Sequence, residues 1–382
     1  MTILNKKICV AITARPSYSR IRSALEKLRD NHRIDLSVIC SGSALLPRYG
    51  RIVDYIKHDG FNVTDELYTF VEGDEPINMA LTTANTMSMT AQVFKRIAPD
   101  FVITIADRYE TLGTAVAASY MNIPLIHIQG GEISGNIDEV VRHAVTKLSD
   151  YHLVSNEYAA HRVHTLGEPV ENIFITGCPS IVIAEESKHL SEEYLINSIK
   201  EHLDLEVFNI NDPFIVLLLH SETLHYEDSF NNMLLLLRIV EKLEINVLIF
   251  SPNLDSGSDA IWAAIDSFKK TYQKKHFFYI NNLEGHVFLK LLSLSLCLIG
   301  NSSVGIRECA FLGIPVVNIG ERQMGRERAN NVIDVAWDEY EITAALIQQL
   351  TIKKYSPSSL YGHAEAGQLI ANVIADLALS DN

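Results

Sequence analysis

The chain has 382 residues, 47% hydrophobic and 21% charged, with 32 basic against 47 acidic side chains and a net charge of −15. This is globular composition at two-domain length, which excludes a disordered or fibrous chain. The acidic balance argues against a nonspecific nucleic-acid binder or a binder of anionic membranes, yet a few local donors can still hold a small anion.

Short apolar runs alternate with amphipathic stretches. Lys7–Ala14 reads as a strand, Ser17–Arg29 as a helix and Ile34–Cys40 as a strand. Pro76–Ile97 is a long helix, with Asp74 as its cap and Pro99 as its stop. Its stripe of Met79, Met87, Met89 and Val93 suits core burial, with a subunit interface as the alternative. Strands Phe101–Ala106 and Leu125–Ile128 flank a helix over Ala115–Met121. Helix Asp138–Ser149, strand His152–Ser155, helix Tyr158–Leu166 and strand Ile173–Ile175 follow. The stretch 185–212 is polar and less periodic. The alternation restarts with strand Phe214–Leu219, helix Phe230–Leu243 and strands Val247–Phe250, Phe277–Ile280, Leu296–Ile299 and Pro315–Ile319. Ala364–Leu379 closes the chain as a helix.

Continuous apolar strands alternating with helices predict parallel sheets covered on both faces. The fold class is α/β: two Rossmann-like, doubly wound domains facing across a cleft, over 1–185 and 186–363, with the helix at 364–382 able to pack back on the first. Cys9, Cys40, Cys178, Cys297 and Cys309 are odd in number and widely spaced, which predicts buried reduced thiols and a cytoplasmic setting. No apolar stretch has signal-peptide length at the N-terminus or reaches the ~20 residues of a membrane span. No His, Asp, Glu and Cys set has metal-ligand spacing, so neither metal nor cofactor is expected.

Ligands of such sheets bind beyond the carboxyl ends of the strands. After the first strand, Arg15 can reach a phosphate and Ser17 can cap the helix, although a capped turn with a solvated Arg serves as well. Asp107 and Arg108 end the 101–106 strand, where a mutual salt bridge is the simple alternative to a functional role. Gln129, Gly130, Gly131 and Glu132 follow the 125–128 strand, the glycines permitting close backbone approach or positive φ. Asp138 and Glu139 lie one helical turn from Arg142 and His143, a set that also suits ordinary helix ion pairs. In the second half His220 tips a strand. Asn301, Ser302, Ser303 and Gly305 lead into helix Ile306–Leu312 with Glu308, and can cradle an anion on backbone N–H groups. The arginines after Glu321 can close over an anion or simply face solvent.

Several of these segments occur in one order: Asp107-Arg108-Tyr109-Glu110, His127 through Gly130-Gly131-Glu132 to Asp138, and Arg142-His143-Ala144-Val145-Thr146-Lys147. Gly177-Cys178-Pro179-Ser180, Pro252 through Ser258, Asn301-Ser302-Ser303 and Arg322-Gln323-Met324-Gly325-Arg326 continue the series. Together, from about Lys7 to about Gly362, they resemble the hydrolysing UDP-N-acetylglucosamine 2-epimerases. The resemblance implies the GT-B arrangement and conversion of UDP-N-acetylglucosamine and water to UDP and N-acetylmannosamine, in sialic-acid-type biosynthesis. The C2 proton is removed, UDP leaves to give a 2-acetamidoglucal, and water adds with inversion at C2.

By the same resemblance, Asp107, Glu132, Asp138, Glu139 and His220 are the acid and base candidates. Arg15, Ser19, Arg108, Asn253, Asn301, Ser302, Ser303, Glu308 and Arg322 would hold the nucleotide and diphosphate. Gln129, Gly130, Gly131 and Arg142 would lie near the sugar. The partners implied are a UDP-N-acetylhexosamine and UDP, with a homodimer or homotetramer as the assembly. Three departures bear on the sugar: Gln129 where many members have Glu, Ser17 where an acid is common, and Ala106 in place of a glycine. Glutamine cannot take a proton at neutral pH, so a base role there passes to Glu132 or Asp138. The alternatives are the same chemistry on UDP-N,N′-diacetylbacillosamine, a non-hydrolysing UDP-sugar epimerase, a GT-B glycosyltransferase, and a nucleotide-sugar sensor.

Overall fold

Strand β1 (Lys6–Ile12) has apolar layers on both sides. Ile8, Val10 and Ile12 enter one buried cluster and Cys9 and Ala11 another, following the period-two alternation of a strand. The structure, a computed structural model, describes residues 5–47, 50–73, 75–135, 137–222, 226–253, 257–271 and 276–380. Two compact units divide the chain: Met1–Glu132, Asp138–Val182 and Tyr361–Asn382 form the first, and Ile133–Ile137 with Ile183–Leu360 the second.

The elements begin with β1, α1 (Arg15–Arg29), β2 (Ile34–Ser41), α2 (Ile52–His58), β3 (Val63–Leu67) and α3 (Pro76–Ile97). Next come β4 (Phe101–Ile105), α4 (Tyr109–Tyr120), β5 (Leu125–Ile128), α5 (Ile137–Leu148), β6 (Tyr151–Val154), α6 (Glu157–Thr165) and β7 (Ile173–Ile175). Then follow α7 (Ser180–Lys188), α8 (Glu192–Ile199), β8 (Phe214–Leu218), α9 (Ser229–Glu241), β9 (Asn246–Phe250), α10 (Ser258–Thr271) and β10 (Phe277–Ile280). The series ends with α11 (Gly285–Leu294), β11 (Leu298–Gly300), α12 (Ser303–Ile306), α13 (Glu308–Leu312), β12 (Val316–Ile319), β13 (Val332–Val335), α14 (Glu339–Leu350) and α15 (Ala366–Leu379).

The first sheet runs β3-β2-β1-β4-β5-β6-β7 and the second β10-β9-β8-β11-β12-β13. Neighbouring strands in both are parallel. Winding reverses between β1 and β4 and again between β8 and β11, and the loops leaving the carboxyl ends at such points are where doubly wound sheets take ligands. In the second unit Phe214 and Val216 of β8 face Leu195 of α8 and Val287 of α11, whereas Ile215 and Leu217 face Leu236 of α9 and Ile265 of α10. Two Rossmann-like α/β units result, as the alternation predicts.

Helix α15 adds Ile370 and Ile374 to the core shared with α1 and β1. It approaches α1 so closely that a Cβ at Gly367 would stand 2.2 Å from Ser23 Oγ, so only glycine fits without displacement. On α3, Val93 and Phe94 are buried while Met87 is 40% exposed.

Several sequence expectations need correction. Helix α1 starts at Arg15 with Ala14 as its N-cap, so Ser17 lies inside the first turn and caps nothing. Asp74 lies outside the described residues, and the capping box of α3 is made by Glu75 and Asn78. The helix expected over Ile306–Leu312 is broken at Arg307 (φ −102°, ψ −69°) into α12 and α13. The polar stretch 185–212 contains α8, capped by Ser191, which accepts from Tyr194 N. All five cysteines are free and buried, and burial pushes Cys9, Cys40 and Cys297 up to about 12, making them poor nucleophiles. No helix among the described residues is long and apolar enough to cross a membrane.

Candidate active site

The chemistry-bearing residues of the first unit gather around one guanidinium. Arg142, on α5, is 1% exposed and donates to the carboxylate of Asp107, beyond β4, and to the backbone carbonyl of Glu132, beyond β5. Burial disfavours its charge, but the carboxylates of Asp107, Glu132 and Asp138 overcome that penalty and raise its pKa above the ordinary arginine value. One buried cation therefore holds two acidic loops and the acidic first turn of its own helix electrostatically.

This pairing joins different elements. Asp107 pairs with Arg142, while its neighbour Arg108 donates from Nε to Glu110 Oε2 at 3.1 Å. Arg142 reaches out of its helix, and along α5 it keeps the electrostatic support of Asp138 while His143 lies 3.9 Å from Glu139. Burial, reinforced by Arg142, lowers the pKa of His143 and keeps that imidazole neutral at ordinary pH. Glu132 is itself 1% exposed, and its Oε1 accepts from Ser155 Oγ at 3.1 Å. Asp107 keeps 20% of its side chain accessible.

The backbone at these strand ends is unusual. Ala106, Gln129 and Gly131 have φ of 63°, 67° and 77°, and for the two non-glycine residues this left-handed conformation costs on the order of 1 kcal/mol each. His127 steadies the turn. Its Nε2 lies 2.9 Å from the Ala106 carbonyl, which can only accept, so Nε2 carries the proton and Nδ1 accepts from Thr146 Oγ1 at 3.2 Å. Burial pushes the pKa of His127 down to about 3, consistent with a permanently neutral ring.

Gln129 is engaged at both ends of its amide. Arg20 Nη1 donates to Oε1 at 3.3 Å, and Nε2 donates to Cys178 Sγ at 2.8 Å, which in turn meets Ser180 Oγ at 2.9 Å. The double glycine meets a packing demand. A Cβ at Gly131 would lie 2.3 Å from the Ala159 carbonyl, and one at Gly130 would lie 3.0 Å from both His127 Nδ1 and Thr146 Oγ1. Ser19 donates to the Pro16 carbonyl within α1 at 3.3 Å. The side chain of Arg15 lies outside the described residues.

In the second unit Asn301 is the organising group. Its Oδ1 accepts from His220 N at 2.8 Å and its Nδ2 donates to His220 O at 2.9 Å, tying the end of β8 to the end of β11. Its backbone carbonyl accepts from Arg322 Nη1 at 3.4 Å and Gln323 Nε2 at 3.0 Å. His220 Nδ1 accepts the backbone N–H of Asn253 at 3.0 Å, which leaves the ring proton on Nε2. Ser302 caps α12, its Oγ accepting from Val304 N at 3.4 Å. Ser303 Oγ accepts from Arg307 Nη2 at 2.8 Å, and Arg307 Nε lies 3.8 Å from Glu308 Oε2. The loop segment 254–256 beside Asn253 lies outside the described residues.

Asp107, Glu132, Asp138 and Arg142 thus meet in the first unit, and His220, Asn253, Asn301 and Arg322 in the second. Ser155 and Arg307 are parts of these clusters that the sequence did not single out, whereas His127 and Gln323 stood within the ordered segments without a role of their own. The neighbouring Asn301-Ser302-Ser303 motif signalled Arg307, but Ser155 had no local signal at all.

Residues 26–375 match the family described as UDP-N-acetylglucosamine 2-epimerase. The chain is 30% identical over 380 residues to a UDP-N,N'-diacetylbacillosamine 2-epimerase (hydrolyzing) of Legionella pneumophila, covering 98% of this chain and 97% of that one. It is 32% identical over 345 residues to a polysialic acid biosynthesis protein of Escherichia coli, covering 89% and 85%. Its fold is similar to that of the Methanocaldococcus jannaschii UDP-GlcNAc 2-epimerase solved in complex with UDP-GlcNAc and UDP, with a TM-score of 0.81, 17% identity, and 97% and 99% of the two chains covered. A match of that extent, and relatives of that identity across most of both chains, mean that the chain belongs to the UDP-N-acetylglucosamine 2-epimerase family.

Proposed function

We propose that the protein is a hydrolysing 2-epimerase that converts UDP-N-acetylglucosamine and water to UDP and N-acetylmannosamine. The observation that carries this reading is the set of three carboxylates around Arg142, because elimination and hydration at adjacent carbons each need a proton carrier in place. Asp107, accessible and oriented by Arg142, takes the C2 proton. Glu132 and Asp138 supply the remaining acid and base work, and Glu139 supports the same helix turn. His220, whose proton is on Nε2, donates toward the departing diphosphate in this reading. Arg322 and the Ser302-Ser303 turn stabilise the charge that builds on UDP as it leaves. Asn301 acts by holding His220 and Arg322, and Glu308 pairs with the ribose hydroxyls. Arg108 is committed to Glu110 and shapes the start of α4.

A second substrate has specific support. The Legionella relative is named for UDP-N,N'-diacetylbacillosamine, and one from Campylobacter jejuni for the GDP- or UDP-linked form of that sugar. The test is release of free UDP from a panel of both nucleotide sugars, run in heavy water. Free UDP with deuterium at C2 of the product is expected, and a product without that label would rule out proton abstraction. Asp107→Asn and Glu132→Gln should each lower kcat by about 10² or more. UDP remaining attached to the epimerised sugar, UDP appearing only when an acceptor is added, or UDP binding without turnover would point to the other three readings respectively.

A further inference from the structure

Glu222 stands two residues beyond His220 and has no role in the scheme above. Its Oε1 accepts the backbone N–H of Glu321 at 3.2 Å. Burial raises its pKa, while the Trp337 indole N–H, the backbone N–H groups of Glu321 and Arg322 and the Asn301 side chain all favour its charged form. The loop after β12 is built around this carboxylate. Gly320 has φ +75°, and a Cβ there would lie 2.1 Å from Glu222 Oε1 and 2.6 Å from Trp337 Nε1. Glycine leaves the space that the carboxylate and indole occupy. From this anchored backbone Arg322 Nη1 reaches the Asn301 carbonyl at 3.4 Å, and Asn301 holds His220 at both ends of its amide.

We propose that Glu222 is a positioning residue, whose carboxylate pins the Glu321–Arg322 backbone and so sets the Arg322 guanidinium beside Asn301 and His220 for the diphosphate. The proposal rests on assigning Arg322 to that diphosphate. A carboxylate is an acceptor only and can face several converging N–H groups, whereas the amide of a glutamine turns an NH₂ toward some of them. Glu222→Gln is therefore almost isosteric but chemically opposed to the site.

The experiment measures UDP affinity by calorimetry on the full-length chain, together with KM, kcat and thermal melting, for Glu222→Gln, Arg322→Ala and the double variant. Glu222→Gln should weaken UDP roughly tenfold and raise KM more than it lowers kcat. The double variant should bind UDP no more weakly than Arg322→Ala alone, since the carboxylate acts through that side chain. If Arg322→Ala weakens UDP while Glu222→Gln does not, or if the two losses multiply in the double variant, the positioning role is overturned. If Arg322→Ala leaves UDP affinity unchanged, the diphosphate assignment fails first, and this proposal falls with it. Should Glu222→Gln melt below the assay temperature, Glu222→Asp, which keeps the acceptor on a shorter arm, carries the same cycle with an effect of about threefold.

Discussion

His127 shows how a single side chain makes this site sensitive to acid. In the folded chain its pKa is pushed down to about 3 by burial, whereas an exposed imidazole titrates near 6.5. Between those values the unfolded chain binds a proton that the folded chain refuses. The stability associated with the neutral ring is therefore complete above about pH 6.5 and is lost as pH falls toward 3, by up to about 1.4 kcal/mol per pH unit. Burial also lowers the pKa of His152, its partner in the β5–β6 register, so that residue acts in the same direction. The melting temperature should fall as the pH is lowered below about 6.5, and less steeply in His127→Gln. Equal slopes in the two proteins would show that the acid sensitivity arises elsewhere. Arg142 has a different lesson at this scale. Asp107 and Glu132 were legible as strand-end acids, but local spacing could not supply their contacts with Arg142, because the Asp107 pair spans 35 residues and the Glu132 contact 10. Local spacing rules see only neighbours within a turn or two.

The elements most easily read were those marked by an unbroken apolar run or a proline start. Strands β5 and β10 and helix α3 have the bounds that the sequence predicts, because unbroken apolar runs or a Pro start define them. Strands β3 (VTDEL) and β13 (VIDV) were missed. Both are edge strands, mostly half-buried, and carry acidic residues that hide the apolar signature. The turns after β4 and β5 make opposite predictions about glycine. Ala106 already adopts φ 63°, so Ala106→Gly should raise stability by up to about 1 kcal/mol in denaturant unfolding. Gly131→Ala places a Cβ 2.3 Å from the Ala159 carbonyl at φ +77°, and should destabilise by at least about 2 kcal/mol. If the two changes had similar effects, backbone conformation would not be what shapes these turns.

At the scale of the whole molecule, the six-stranded sheet repeats the order of the first six strands of the other, which adds β7 at its edge, and the repeated alternation of apolar run and amphipathic stretch made that class readable in the sequence. The sequence left room for the last helix to return to the first half, but the alternation did not assign residues 133–137 to the second unit, because membership of a unit depends on tertiary packing and not on periodicity. The first unit is completed by Tyr361–Asn382, and the second takes in Ile133–Ile137. That route limits how the gene can be cut. A polypeptide stopped at residue 182 loses Ile370 and Ile374, both fully buried, and leaves the apolar face of α1 open to water. Expressed alone it should bind a hydrophobic dye and aggregate. The same fragment with residues 361–380 grafted through a flexible linker should stay monodisperse and melt cooperatively, making this protein a candidate for circular permutation and not for simple bisection.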